Sequence, residues 1–222
     1  MRKTELANGE YYHIFNRGVD KRKIFLDESD FKRFWLSMRL LNDEKDGMML
    51  NWRNQKRFKP ELDMEIFIRQ ELSSCREALV KIIAYCLNPN HFHFILKQRK
   101  EDGIRKFMHK IGTSYTNFFN AKYDRSGALC QGRFKSIHIK NDSRLLYLVS
   151  YVNCNSEVHG ISKALKYKWC SYPEYMGLCK DEICDKQIIL EQFRGRKDYA
   201  EFARESVQDA KQKKEDEKSF LE

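Results

Sequence analysis

Asn88-Pro89-Asn90-His91-Phe92-His93-Phe94-Ile95-Leu96 is the stretch around which the sequence is organised. A turn signal stands directly in front of two histidines that one large apolar residue separates. In a strand the side chains alternate between faces, so His91 and His93 point to one side and Phe92 to the other. Two imidazoles about 7 Å apart on one face can share a cation if a third ligand comes from elsewhere. The alternative is that the pair lies on the wetter face of a half-buried strand.

The segment before this turn, residues 80–87, is a second apolar run, so the two segments predict a β-hairpin. Another strand is predicted at 11–18, and 128–140 is predicted to be extended. Helices are predicted after the N-cap Asp27, from about Asp63, over 101–122, and over 144–157. This order predicts an α+β fold in which helices pack on an antiparallel sheet.

The composition favours a polyanionic partner, because 42 Lys and Arg residues face 32 Asp and Glu residues and the net charge is +10. The alternative is a basic, solvated surface without such a partner. No apolar run of about 18 residues and no apolar signal core is present, so we expect neither a secreted nor a membrane-spanning protein but a cytoplasmic one. The seven cysteines form no CxxC pair, which predicts reduced thiols.

Basic residues occur in three groups that we predict to contact DNA. Residues 43–62 are interpreted as an irregular insertion in which basic side chains alternate with Trp52 and Phe58. Such a mixture can hold a phosphate backbone while bases stack on the rings, although a mobile charged loop has the same composition. The predicted DNA contacts are Arg17, Lys21, Arg22, Arg53, Lys56, Arg57, Arg133 and Lys135.

In the helix predicted over 144–157, Tyr147, Tyr151 and Asn155 are spaced i, i+4, i+8 and form one polar stripe. If this stripe faces the two histidines, Asn155 can offer an amide oxygen to the same cation. Imidazole nitrogens with an amide oxygen suit Mg²⁺ or Mn²⁺ and leave positions for phosphate oxygens. Tyr151 is then a candidate nucleophile for a phosphodiester. The alternative is that Tyr151 is an amphipathic core residue.

Five blocks of sequence together resemble the single-tyrosine HUH transposases, the IS200-like type, and among these the REP-associated tyrosine transposases. The blocks are 12–18 (YHIFNRG), 84–93 (AYCLNPNHFH), 131–136 (QGRFKS), 151–155 (YVNCN) and 169–175 (WCSYPEY). The resemblance covers roughly residues 10–177. The chain departs from the family pattern after the tyrosine helix, where Asn155-Ser156-Glu157-Val158 stands in place of the usual Asn-Pro-Val.

The resemblance implies a ferredoxin-like α+β fold over residues 1–177, with the insertion near 43–62. A helical, partly mobile extension at 178–222 lies outside the family pattern. The resemblance also implies that His91, His93 and Asn155 ligate a divalent cation, Mg²⁺ or Mn²⁺, and that Tyr151 is the catalytic residue. Cleavage of single-stranded DNA at hairpin-flanked sites would then leave a 5′-phosphotyrosine and a free 3′-hydroxyl.

Three functions compete at this point. The first is a metal-dependent enzyme that nicks and rejoins single-stranded or hairpin DNA. The second is a non-catalytic, domesticated DNA-binding descendant, against which the retention of both histidines, Tyr151 and Asn155 speaks. The third, a metalloenzyme for small molecules, leaves the net charge of +10 unexplained. Whether the protein is a monomer or a homodimer stays open, and so does whether Tyr151 meets the histidines of its own chain.

Overall fold

A four-stranded antiparallel sheet lies at the centre of the computed structural model, which describes residues 5–72, 77–180 and 182–219. Its strands are β1 (Tyr11–Arg17), β2 (Val80–Asn88), β3 (His91–Gln98) and β4 (Lys135–Ile139). They are arranged in the order β2-β3-β1-β4, and every pair is antiparallel. With the helices between the strands, this is the ferredoxin-like order, so the predicted α+β class is confirmed.

Helices cover both faces of the sheet. They are α1 (Glu28–Leu40), α2 (Met48–Phe58), α3 (Met64–Leu72), α4 (Gly103–Lys122), α5 (Asp142–Asn153), α6 (Asn155–Val158), α7 (Tyr172–Tyr175), α8 (Gln187–Leu190) and α9 (Arg196–Ser219). One apolar core joins Phe92 and Phe94 of β3 to α1, α3 and α4, and the other joins Ile95 of the same strand to α5 and α9. Within the described chain no helix is long and apolar enough to cross a membrane.

The β2–β3 hairpin turns through Pro89 and Asn90, as the sequence predicts. The turn is anchored because the backbone amides of Ile24 and Phe25 both donate to the Pro89 carbonyl, at 2.7 and 3.0 Å. Strand β2 shifts register between Ile82 and Ala84 and is buried on both faces. The register shift is a β-bulge. Because β2 lies between two cores, both of its faces are apolar, and its sequence is an almost continuous apolar run.

Residues 43–62 are not an irregular insertion, because most of them form α2. Its first residue Met48 is buried, and the Trp52 ring packs on Phe67 of α3, with ring centroids 5.5 Å apart. Helix α2 thus belongs to the layer of α1 and α3. The sequence concealed this because α2 has a single fully buried residue, too few to give a helical apolar pattern.

Two other predicted boundaries are wrong. The helix expected to continue from 144 to 157 ends at Asn153, and the short helix α6 begins at Asn155 after a break at Cys154 (φ −103°, ψ 12°). No proline causes this break. Of the extended segment predicted at 128–140, only Lys135–Ile139 joins the sheet. The residues before it cross the end of β1, where Gln131 N donates to the Arg17 carbonyl at 2.8 Å.

The region after residue 177 contributes α8 and α9 to the second core. Tyr199 of α9 is fully buried, and Ala203 and Val207 pack on Cys154 and Val158 around α6. The frayed end expected for this extension and the cysteine at position 75 lie outside the described residues.

We predict that Tyr199→Phe lowers the free energy of unfolding by about 1–3 kcal/mol. Asn153 Nδ2 donates to the Tyr199 hydroxyl at 2.6 Å, and the lost hydroxyl leaves that buried amide without its acceptor. Chemical denaturation measures the change. Tyr11→Phe, at the half-buried start of β1, is the matched control and should change stability by less than about 0.5 kcal/mol. Equal changes in the two variants would contradict the role given to this hydrogen bond.

Candidate active site

His91 and His93 lie on the same face of β3, with ring centroids 5.1 Å apart and planes nearly perpendicular. Phe92 between them is buried in the opposite core. The alternation predicted for this strand is therefore observed. The face that carries the two histidines is the one on which α5 packs.

Hydrogen bonds from the preceding turn fix the state of His91. Its Nδ1 lies 2.6 Å from Asn90 Oδ1, which can only accept, so Nδ1 carries the hydrogen. The lone pair is then on Nε2, which lies 2.9 Å from Asn88 Nδ2. Both flanking asparagines of the Asn-Pro-Asn turn thus orient the first histidine.

Asn88 also reaches the third predicted ligand. Its Nδ2 donates to Asn155 Oδ1 at 2.6 Å, and that oxygen lies 3.3 Å from His91 Nε2. The Asn88 amide nitrogen is therefore within hydrogen-bond distance of both His91 Nε2 and Asn155 Oδ1, the two atoms whose lone pairs a cation would share. The other end of the Asn155 amide, Nδ2, is buried and has no hydrogen-bond partner.

His93 is held by a histidine of β1. His13 Nε2 and His93 Nδ1 share a hydrogen bond of 2.9 Å, and the two rings stack with centroids 5.1 Å apart. Burial, with a smaller effect from Arg144, lowers the pKa of His13 to about 4. Burial also holds the pKa of His93 well below its ordinary value, with the neighbouring histidines adding to the effect. Both imidazoles are therefore neutral at pH 7, which is the form that ligates a metal.

Helix α5 brings Tyr151 to the histidines of the same chain. The Tyr151 ring stands edge-on to His93 and His13, with centroids 6.0 and 6.5 Å away. Tyr147, one turn earlier, lies instead under the Arg144 guanidinium, whose carbon is 5.5 Å from the ring centroid. The four predicted residues His91, His93, Tyr151 and Asn155 are thus brought together within one chain.

Sequence reasoning missed two residues of the site. His13 occupies the histidine face of the sheet, and strand alternation could have placed it there once the pairing of β1 with β3 was known. His159 follows α6, and its ring centroid lies 4.8 Å from that of His91. Nothing in the sequence pattern pointed to His159, because it lies beyond the break in the predicted helix.

The predicted DNA contacts divide into two groups. Arg17 is exposed and pairs in register with His91. The Lys135 ammonium lies 6.0 Å from the centroid of the Phe15 ring, which itself stacks near His93. Arg133 precedes Lys135 by two residues, and Lys21 and Arg22 follow β1 on the surface, with Arg22 paired to Asp20 at 3.4 Å. These residues surround the end of the sheet that carries the site.

The second group lies on α2, in the layer on the far side of the sheet. Arg53 and Arg57 are exposed there. The Lys56 ammonium donates to the carbonyls of Pro60 and Leu62 and lies over the Trp52 ring. The structure therefore separates Arg53, Lys56 and Arg57 from the histidines.

The spacing of two predicted donor atoms, on His91 and Asn155, suits a divalent cation. Two neighbouring ligands of an octahedral cation with bonds of about 2.1 Å lie about 3 Å apart. The 3.3 Å between His91 Nε2 and Asn155 Oδ1 matches that separation. Nδ1 of His93 is engaged by His13, and if it donates that hydrogen bond, the lone pair of Nε2 is left for a cation. In the described chain no three His, Cys, Asp or Glu side chains form a metal-binding group, so a three-ligand set needs the Asn155 amide.

A family model and a solved structure are similar to this chain. The family model described as "Transposase IS200 like" matches residues 48–155, which include both histidines, Tyr151 and Asn155. A solved structure, the REP-associated tyrosine transposase bound to a REP hairpin, is similar with a TM-score of 0.54 and 14% identity, over 84% of this chain and 94% of that one. No curated protein sequence matches the chain. The predicted family resemblance is confirmed by the family model, and the predicted fold by the solved structure.

We predict that the burial of neutral His13 makes the protein less stable in acid. The unfolded chain binds a proton near pH 6.5, whereas folded His13 binds it only near pH 4, so stability falls as the pH drops through that window. His13→Gln should reduce the loss between pH 7 and pH 4 by roughly 1–3 kcal/mol. Denaturation curves at several pH values measure it.

The matched control for this titration is His109→Gln, on the exposed side of α4. This variant leaves the buried pair of His13 and His93 in place, so it should keep the acid-induced loss that His13 causes. Identical pH profiles for His13→Gln and the unsubstituted protein would show that His13 is not held neutral by burial.

Proposed function

We propose, from the IS200-like match and the site around His91, that the protein is a metal-dependent transposase that nicks and rejoins single-stranded DNA through Tyr151. The observation that carries the proposal is the meeting of Tyr151 and Asn155 with His91 and His93 in one chain. A protein that only bound DNA would need none of this arrangement.

Each residue has a distinct task in the reaction. The Tyr151 oxygen attacks the scissile phosphorus and loses its proton, while the bond from phosphorus to the 3′-oxygen breaks. The leaving oxygen takes up a proton and becomes a free 3′-hydroxyl, and the 5′ side stays attached as a phosphotyrosine. The reverse attack by a 3′-hydroxyl restores the phosphodiester and releases Tyr151, so no external energy source is needed.

Mg²⁺ or Mn²⁺ held by His91, His93 and Asn155 would polarise the scissile phosphate as a Lewis acid. The chain itself supplies orientation. Asn90 fixes the tautomer of His91, and His13 fixes the ring of His93. Burial keeps His93 and His13 neutral, so no proton has to leave either ring before a metal can bind.

Hairpin DNA with a single-stranded flank is the substrate class that we propose. The solved relative of similar fold is bound to a REP hairpin. In this chain Arg17, Arg133 and Lys135 lie around the site, where they can contact phosphates and position the strand.

The central experiment incubates a labelled hairpin oligonucleotide with a single-stranded flank, the purified protein and Mn²⁺. We predict a protein–DNA adduct that survives denaturing electrophoresis, disappears with EDTA, and falls at least about a thousandfold in Tyr151→Phe. Tyr147→Phe, one turn away on the same helix face, is the matched control and should keep the adduct. An adduct that depends on Tyr147 rather than Tyr151 would refute the assignment. Tight hairpin binding without any adduct would favour the non-catalytic descendant.

A second prediction separates binding from cleavage. His91→Ala should keep affinity for the same oligonucleotide within about threefold while it loses the adduct, because phosphate contacts dominate affinity. Arg133→Ala and Lys135→Ala should each weaken binding several-fold and lower the slope of log affinity against log salt by about 0.7.

Arg57→Ala on α2 is the matched control for these cation substitutions, since it lies in the far layer of helices. It should change affinity and salt slope less than either of the other two. An effect as large as that of Arg133→Ala would mean that DNA also crosses α2.

A further inference from the structure

A cleft of about 970 Å³ lies on the face of the sheet opposite the histidines. Its floor is apolar and includes Phe34, Phe92 and Met108, and Phe134 stands at its side. Its polar lining comprises Asn16, Thr113, Thr116, the acidic Glu5 and the basic residues Arg105, His109 and Arg133, so cations outnumber the one carboxylate. A large apolar cavity with a few polar and cationic groups is the usual form of a ligand pocket. His91, His93, Tyr151 and Asn155 are not among its lining residues, whereas the proposed DNA contact Arg133 is.

A glycine in the wall of this cleft has no explanation in the fold. Gly112 lies midway along α4, where glycine destabilises a helix relative to alanine. A Cβ built on Gly112 would meet nothing within 4 Å, whereas one built on Gly103, at the start of the same helix, would collide with the Leu79 carbonyl. Internal packing thus requires Gly103 but not Gly112. Because Gly112 has no side chain, a ligand in the cleft can approach the backbone of α4 closely at this point.

The opposite wall is fixed before any ligand arrives. Residues 128–134 are tied to the end of β1 by hydrogen bonds from Val19 N to the Leu129 carbonyl at 3.1 Å and from Asn16 Nδ2 to the Gly132 carbonyl at 3.1 Å. The same segment places Leu129 in the apolar core. The cleft is therefore preformed, which lowers the cost of binding.

A short basic path connects the cleft to the active-site face. Arg133 lines the cleft, and Lys135, two residues on, is paired with Phe15 and lies over its ring. The Phe15 ring in turn lies 5.7 Å from the His93 ring, on the histidine face. The two cations thus lie on either side of the β4 edge. A phosphate backbone that follows them passes from one face of the sheet to the other.

We propose that this cleft binds an unpaired nucleobase of the DNA strand that leaves the active site around the β4 edge. The inference rests on the proposed function, because it takes single-stranded DNA as the ligand. The apolar floor and the Phe134 ring accept the flat face of a base, the bare surface at Gly112 leaves room for it, and Arg133 meets its phosphate. The cleft would then select strands in which a nucleotide at one fixed distance from the cleavage site is free to leave the stack.

Photocrosslinking tests the proposal without catalysis. Hairpin oligonucleotides carrying 5-iodouracil at successive positions of the single-stranded flank are bound to Tyr151→Phe protein in EDTA and irradiated, and the crosslinked peptides are identified by mass spectrometry. We expect one or two adjacent positions to crosslink to residues 105–116 or 128–134. Crosslinks confined to peptides of the histidine face would overturn the proposal.

Substitution of Gly112 gives a variant whose melting temperature shows that it is folded. Gly112→Leu should raise the melting temperature, because a glycine leaves a helix interior, and yet should abolish the crosslink and weaken oligonucleotide binding at least about tenfold. Gly112→Ala is the matched control, with the same gain in melting temperature and a smaller loss of binding. Unchanged crosslinking and affinity in Gly112→Leu would refute the proposal.

The two proposals fail in different ways. A crosslink in the cleft without any Tyr151 adduct in the unsubstituted protein would keep the nucleobase site and reject the enzyme. An adduct together with crosslinks only on the histidine face would keep the enzyme and reject the nucleobase site.

Discussion

The alternation of side chains along β3 is the constraint on which the rest of the structure depends. Because both faces of the sheet are covered, each residue of the strand belongs to one core or the other, and a shift of one residue would exchange them all. Phe92 and Phe94 hold the strand in register from one side. The histidines are therefore fixed on the other side by apolar packing that they do not take part in.

Neutrality is the second condition for the site, and the fold imposes it by burial. Burial away from water, next to another imidazole, destabilises the protonated form of an imidazole, and this lowers the pKa values of His13 and His93. Charge is concentrated instead on exposed residues such as Arg17 and Lys135. The proposed metal ligands thus lie in the buried interior, and the proposed DNA contacts lie at the exposed edge of the sheet.

The sequence predicted what depends on local pattern and failed where tertiary contacts decide. Alternation placed His91 and His93, and helical spacing placed Tyr151, on faces that the fold brings together. Asn155 reaches them from α6 and not from the continuous helix on which its predicted spacing depended. The break at Cys154 could not be foreseen, because no glycine or proline marks it and it coincides with contacts from the distant Tyr199 and Ser171 to Asn153. His13 was missed for a related reason, since its role depends on which strands are neighbours. Helix α2 was missed because one buried methionine and one half-buried tryptophan hold it.

The packing of α9 on the tyrosine helix has a consequence for how two copies of the chain can associate. Exchange of α5 between copies would be a domain swap, in which the identical helix of the second copy refills the place that α5 leaves. The opened chain that precedes such an exchange would lose the hydrogen bond from Asn153 to Tyr199 and would expose Ala203 and Val207, so these contacts oppose opening. The C-terminal extension therefore hinders any exchange that would move α5, with Tyr151 on it, away from the sheet of its own chain.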